Sequence, residues 1–296
     1  MHNYDFDRII ARSIYPGLMV CVVAAHLLLS SSDSGLLAST YLPVACGALA
    51  IIALERWFPY RREWLPRASD VFNDGTFMLL VQILLPRFLS LLVGISVLRL
   101  VQSSAMNLPA LWPNHLPIVA QALLMMVGAE FLRYWVHRLM HNWSPLWRLH
   151  AVHHSPHKLY WLNVCRFHPL EKALQFLFDT LPFMLLGVGE EVLALYFVFY
   201  SINGFFQHCN IRVEMGFLNY IISGPQLHRW HHSRLVKESN NNYGNNLIIW
   251  DLVFGSWYLP IDREVDELGL HNRQYPTDFV AQLRTPFVKG LDKAAS

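Results

Sequence analysis

The chain has 296 residues, 54% of them hydrophobic and 15% charged, with a net charge of +2 and a mean hydropathy of +0.28. Soluble domains carry about 25% charged residues, so this composition excludes an ordinary soluble domain and points to the bilayer. The small net charge, with no lysine- or arginine-rich run, argues against a nucleic-acid partner.

The N-terminal stretch MHNYDFDRIIARSIYPG lacks the basic n-region and cleavage site of a signal peptide, so the apolar run after it is expected to be a retained helix. About 20 apolar residues cross a bilayer, and four stretches qualify: 14–30, 36–54, 76–98 and 116–136. Arg8 and Arg12 precede the first, the turn SSDSG carries no Lys or Arg, and Arg56, Arg61, Arg62 and Arg67 follow the second. By the positive-inside rule both termini are cytoplasmic, the loops after Gly35 and Met106 lie outside, and the chain is back at the cytoplasmic face near residue 136. Residues 170–206 form two shorter apolar helices broken at LLGVGEE, either a hairpin dipping into the membrane or a fifth and sixth span. After residue 255 the composition turns polar and a solvated tail is expected. The predicted fold is all-α: a multi-pass bundle of about four spans plus a membrane-dipping hairpin, under a cytoplasmic histidine-rich cap. The expected segments are 1–115 (N-terminal membrane helices), 116–260 (catalytic) and 261–296 (tail). Four cysteines without CxxC spacing suggest neither a disulfide framework nor a thiolate zinc site.

The chain holds 15 histidines, and they are not scattered. AEFLRYWVHRLMHNW places His137 and His141 four apart, on one face of a continuing helix. HAVHH adds His150, His153 and His154, and HRWHH repeats that spacing with His228, His231 and His232. A lone histidine in an apolar chain is usually packed and hydrogen-bonded, but two HxxHH motifs and one HxxxH on one membrane face point to metal. Neutral imidazole suits iron, copper, zinc and nickel alike. Three or four protein ligands satisfy one zinc ion, so eight histidines in a common region imply two metals.

These motifs and their flanks, YWVHR, LWRLHAVHHS, RFHPLE and NYGNNLIIWDLVFGS, resemble the fatty acid hydroxylase and sterol desaturase superfamily of integral-membrane oxygenases over roughly residues 120–260. Ser256 stands where many members have threonine. The resemblance implies two iron ions, with zinc able to replace them on purification, and dioxygen as co-substrate, acting on an unactivated C–H bond of a sterol, fatty acyl or ether lipid by hydroxylation or desaturation. It also implies a ninth ligand, His208 in GFFQHCNIR, and outer partners for the ligands: Glu130, His168, Glu171, Asn245 and Asp251, with Tyr243 beside them. No flavin, haem or ferredoxin segment is recognisable, so a separate donor of cytochrome b5, ferredoxin or flavoprotein reductase type is expected. The location expected is a bacterial inner membrane, or the endoplasmic reticulum in a eukaryote.

His2, His26, His115, His157 and His271 fall outside the ligand set. Arg138 and Arg229 either pair with the nearby carboxylates or mark the positive face, and Trp135, Trp143, Trp147, Trp161 and Trp230 are expected in an interfacial belt. Three rival functions compete with the enzyme, one of them a catalytically silent lipid-binding family member, which would lose ligands, whereas no histidine box here is missing one. A zinc metalloprotease needs glutamate beside its first histidine, where this chain has Arg138. A non-enzymatic metal-binding or metal-transport protein needs ionisable residues along a membrane path, and the spans offer only His26 and Glu130.

Overall fold

The computed structural model describes residues 2–104 and 111–291. Among them there is no β-strand, only three isolated bridges between loops. Helices α1 (His2–Ser30) and α2 (Gly35–Trp57) form an antiparallel pair, followed by α3 (Ala68–Phe77), a π-helical stretch (Met78–Leu84) and α4 (Leu85–Ser104) in one continuous rod. α5 (Ile118–Asn142) turns directly into α6 (Ser144–His154). The chain continues through α7 (Pro169–Asp179), α8 (Leu181–Leu186), α9 (Glu190–His208), α10 (Pro225–His231), α11 (Val236–Ser239), α12 (Ile249–Phe254) and α13 (Phe279–Gln282).

Four helical segments are long and apolar enough to cross a membrane: Asp7–Ser30, Gly35–Trp57, Ala68–Ser96 and Ile118–Asn142. The third starts eight residues before the expected span, because its first turns carry Asp70 and Asp74 and read as polar in sequence. Asp74 is buried against Arg166, which donates through Nε at 2.8 Å, and Tyr160, whose hydroxyl donates at 2.5 Å. Such pairing is what makes a buried carboxylate tolerable. The outer-loop site after Met106 lies outside the described residues.

The 170–206 region forms the expected hairpin, with α7 and α8 as one arm and α9 as the other. Trp112 N–H donates to Leu186 O and Asn114 Nδ2 to Gly187 O, so the α8–α9 junction reaches the level of the loop that precedes α5. α9 then returns over 19 residues, about 28 Å at 1.5 Å per residue. It is the central helix, packed against α1, α2 and α5. Gly47 lets α2 approach it closely: a Cβ there would stand 2.6 Å from Ile202 Cδ1.

One end of the bundle collects the functional residues. Arg8 and Arg12 at the start of α1 reach Glu214 at 3.4 and 3.1 Å, so this end of α1 lies beside the chain leaving α9. Glu55, at the end of α2, accepts the backbone N–H groups of Trp161 (2.7 Å) and Asn210 (2.9 Å). The N-terminal helices thus clamp both the 160–166 loop and the residues that follow His208. The segment beyond residue 255, expected to be solvated, is docked at the same end. Val265, Leu268, Leu270 and Tyr275 are buried, Arg61 donates to Val265 O at 2.7 Å, and Gln282 Nε2 donates to Ser155 Oγ at 2.8 Å. Its apolar residues are spaced too irregularly to signal a helix, yet they cover α6 and the loop after it.

Candidate metal centre

The C-terminal turns of α5 carry His137 and His141, α6 carries His150, His153 and His154, α9 ends in His208, and α10 brings His228 and His231 with His232 as its cap. The nine imidazoles form two groups: His137, His141, His150, His154 and His231 in one, and His153, His208, His228 and His232 in the other, with ligand atoms within 4.8 Å of each other inside each group. His137 and His141 are half-buried and the other seven buried. Each HxxHH motif feeds both groups.

The ring orientations are set from behind. Nδ1 of His137 faces the carbonyl oxygen of Tyr243 (2.7 Å), Nδ1 of His231 that of Asn241 (2.8 Å), Nδ1 of His141 faces Asn240 Oδ1 (3.0 Å), Nδ1 of His150 faces Glu171 Oε1 (2.7 Å), and Nδ1 of His208 faces Asn163 Oδ1 (2.7 Å). A carbonyl or carboxylate oxygen only accepts, so these five rings carry their proton on Nδ1 and present a bare Nε2 inward. The amide of Asn163 is oriented by its own bonds, since Nδ2 donates to Lys158 O at 2.8 Å.

In the five-histidine group the inward nitrogens of His137 and His150 then face one another with no proton to share. His137 Nε2 stands 2.9 Å from His150 Nε2, although both rings have committed their N–H elsewhere. Nε2 of His228 lies 3.0 Å from Nε2 of both His208 and His232. Nε2 of His141 and His231, and Nδ1 of His153, His228 and His232, have no hydrogen-bond partner. Buried polar atoms are normally paired, and converging lone pairs repel unless a cation lies between them. Burial holds His153, His154, His228 and His232 far below the usual imidazole pKa and His231 down to about 3, so these rings are uncharged at neutral pH, the form that ligates. The residues present fit a pair of transition-metal ions.

A loop of residues 240–246 supplies the acceptors for His137, His141 and His231, and two buried carboxylates hold that loop. Glu130 accepts the N–H groups of Asn245 and of Asn246 (2.7 Å). Asp251, pushed up to about 6 by burial, accepts those of Tyr243 (2.8 Å) and Gly244 (2.7 Å). Gly244 is required here, because a Cβ would meet Leu247 O at 2.3 Å. Arg138 donates to Tyr134 Oη (2.8 Å), Tyr134 Oη lies 2.9 Å from Ser256 Oγ, and Ser256 donates to Asp251 (2.6 Å). Ser256 acts through its hydroxyl, which threonine would equally supply.

Of the five expected outer partners, then, Glu171 alone touches a clustered imidazole. Glu130 and Asp251 act through the loop, and Asn245 accepts a weak contact from Arg133 Nη2 at 3.5 Å. His168 stands apart: Nδ1 accepts from Leu170 N–H to cap α7, and Nε2 donates to Leu283 O at 3.2 Å. Asn163, Asn240 and Asn241 went unnoticed in the sequence. An asparagine inside a loop usually signals a turn, and nothing in its spacing marks it as a partner of a distant ring.

Other expectations shift in position. Arg229 donates to Ile211 O (2.8 Å) and lies 4.0 Å over the Tyr60 ring rather than on a carboxylate. Trp230 is buried and Trp147 packs beside His141 and His154 at 5.2 and 5.4 Å between ring centroids, whereas Trp135 and Trp143 are exposed. His157 accepts from Arg273 Nη1 (2.6 Å) outside both groups, His26 bonds Ser39 O (2.9 Å), and His115 and His271 are exposed. The side chain of His2 lies outside the described residues.

A cavity of about 360 Å³ lies against both groups, touching His137, His150, His153 and His228. Its other walls are mostly apolar, with Val44 and Ala48 from α2, Met78, Val164, and Phe197 and Phe205 from α9. A second cavity of about 350 Å³ touches His141 and His154 beside Trp147, Arg234 and His271.

Fold and site together define a class: an integral-membrane helical protein whose double histidine centre adjoins an apolar cavity. Residues 122–256 match the fatty acid hydroxylase family model. The chain is similar to an ornithine lipid hydroxylase from Rhizobium tropici, 35% identical over 82% of this chain and 74% of that one. It is also similar to the human alkylglycerol monooxygenase (30% identical, 44% of this chain and 29% of the relative) and to methylsterol monooxygenase 2-2 from Arabidopsis thaliana (25%, 49% and 54%). No solved structure matches. The chain belongs to the fatty acid hydroxylase family, and it is an oxidoreductase.

Proposed function

We propose that this protein is a lipid oxygenase whose two histidine groups each hold one metal ion, iron in the active form, and which uses dioxygen and external electrons to hydroxylate or desaturate an unactivated C–H bond. The observation that carries this reading is the convergence of imidazole Nε2 atoms, 2.9 and 3.0 Å apart, beside an apolar cavity. The relatives' names support the substrate class, since each specifies a lipid and an oxygen-inserting activity. The match to the ornithine lipid hydroxylase covers 82% of this chain, so an amino-acid-headed lipid joins the sterol, fatty acyl and ether lipids as a candidate.

When bound, the two irons supply the activation of dioxygen. The chain itself does the rest. His137, His141, His150, His154 and His231 form one ligand set and His153, His208, His228 and His232 the other. The oxygens of Tyr243, Asn240, Asn241, Glu171 and Asn163 hold the proton on Nδ1 of His137, His141, His231, His150 and His208 and fix those five rings. The apolar walls exclude water and hold the lipid with one carbon against the centre, which replaces a bimolecular encounter by a positioned one. Residues 116–260 form the catalytic segment. We place the centre and both termini on the cytoplasmic side, as the arginine distribution requires, within reach of a donor of cytochrome b5, ferredoxin or flavoprotein reductase type.

Two measurements test this. Protein purified from iron-supplemented cells should contain two metals per chain, with zinc able to replace iron because affinity discriminates poorly between them. One metal or none in folded protein would refute the dinuclear centre. Lipid profiles of a deletion strain, with and without the complementing gene, should differ by a species that has gained one oxygen or lost two hydrogens. Identical profiles would sink the oxygenase reading.

A further inference from the structure

We infer that Arg133 is the anchor for an anionic headgroup of the substrate, so that the lipid enters headgroup-first and is oxidised close to that headgroup. The inference rests on the oxygenase reading for the words substrate and oxidised, but on its own observations for the binding. Arg133 lines the cavity and is only 6% exposed. Its Nε and Nη1 have no hydrogen-bond partner. Asp179 Oδ2 is 3.8 Å from Nη1 and Asn245 Oδ1 3.5 Å from Nη2, both beyond a good hydrogen bond. A guanidinium offers five donors in a rigid fork suited to carboxylate or phosphate, and a buried one is costly to leave underbonded.

The unpaired donors of Arg133 leave room for one anion. A second buried cation, Lys172, donates to Tyr200 Oη at 3.1 Å, and Tyr200 lines the same cavity. Of the carboxylates nearby, Glu171 is engaged by His150 (2.7 Å) and Gln175 (2.9 Å), and Glu130 by the backbone N–H groups of Asn245 and Asn246. None of these carboxylates gives Arg133 a hydrogen bond, since Asp179 Oδ2 stands 3.8 Å from Nη1, so the Nε and Nη1 donors are left for an incoming anion. Arg133 precedes His137 by four residues on α5, which puts their side chains on one face about 5–6 Å apart. An anion held there lies about one helical turn from the histidines, and the carbon offered to them is a few bonds from it. The apolar tail then runs along Val44, Ala48 and Phe197.

The test is equilibrium binding to metal-loaded protein in phosphatidylcholine nanodiscs. The probes are N-palmitoylglycine, hexadecyl phosphate and the neutral N-palmitoylglycinamide. Wild type should bind at least one anionic probe about tenfold or more tightly than the amide, and the better of the two identifies the headgroup as carboxylate or phosphate. Arg133→Gln should reduce that probe to the affinity of the amide, which itself should not change, and Arg133→Lys should restore part of the preference. Asp179→Asn should tighten anion binding, because a competing carboxylate is gone. A purely structural ion pair predicts the opposite, so if Arg133→Gln fails to fold, the Asp179→Asn variant decides. Equal binding of acid and amide by wild type, or a preference that survives Arg133→Gln, would overturn the inference. A preserved preference in wild type without any oxidised lipid product would refute the oxygenase reading and leave the anion site standing.

Discussion

Replacing Glu130 with glutamine should remove one metal and leave the other. Glu130 is 1% exposed and accepts two backbone N–H groups, from Asn245 and Asn246. Glutamine offers one acceptor oxygen, so its NH2 group must face the other N–H and leave a buried donor unpaired, which costs about 1–3 kcal/mol. The 240–246 loop relaxes away from that contact, and it carries the oxygens that hold His137, His141 and His231. All three belong to the five-histidine group, and losing such partners typically costs about 10-fold to 100-fold in metal affinity. In the four-histidine group His208 is held by Asn163, from a different segment of the chain. Metal analysis of matched detergent-purified samples should therefore show the content falling from two per chain toward one, together with a lower melting temperature. Asn163→Ala should deplete the other site. If Glu130→Gln melts earlier yet keeps both metals, or if both variants lose both metals in parallel, the independence of the two supporting shells is wrong.

His208→Ala should abolish product formation and lower bound metal, whereas His157→Ala, altering a ring bonded only to the C-terminal segment, should leave both nearly intact; paired metal and product assays at matched expression decide, and the reverse pattern would remove His208 from the ligand set. Gly47→Leu should destabilise the bundle by about 1–3 kcal/mol, the usual overpacking range, because its Cβ would already press on Ile202; adding Ile202→Ala should recover much of the lost melting temperature, and no recovery would place the strain elsewhere. Reporter fusions after Gly35 should report the outer side and fusions at the C-terminus the inner side; the inverse result would move the metal centre across the membrane.

The histidine spacing carried most of the site. His137 with His141, and the two HxxHH motifs, are brought together because helical periodicity puts residues four apart on one face, a local rule that sequence displays directly. The four apolar spans were equally legible, since length and hydropathy are local too. What escaped depends on distant pairing. Nothing near Glu55 announces that its carboxylate accepts from Trp161 and Asn210, so the first helices looked like generic membrane anchors although they clamp the loop carrying Asn163. The C-terminal segment was misjudged because Val265, Leu268 and Leu270 are diluted by charged neighbours, and only the docked structure shows which face is covered. Glu130 was legible as a buried carboxylate on the histidine face of its helix, but its action runs through loop 240–246 and not through a ring.

The division of the nine histidines follows from helix geometry applied twice. At about 100° per residue, the first and fifth positions of HxxHH lie about 40° apart and the fourth projects to one side. In α6 the close pair His150 and His154 joins the five-histidine group while His153 turns to the other. In α10 and its cap the roles reverse: the close pair His228 and His232 joins the four-histidine group while His231 crosses over. The two motifs thus make the same contribution to opposite groups, and together they place three histidines in each. What remains is unequal, since α5 adds two histidines to one group and α9 adds only His208 to the other. Adjacent residues such as His153 and His154 consequently belong to different groups, so loss of a whole motif would open both groups, while loss of His208 strikes the smaller one.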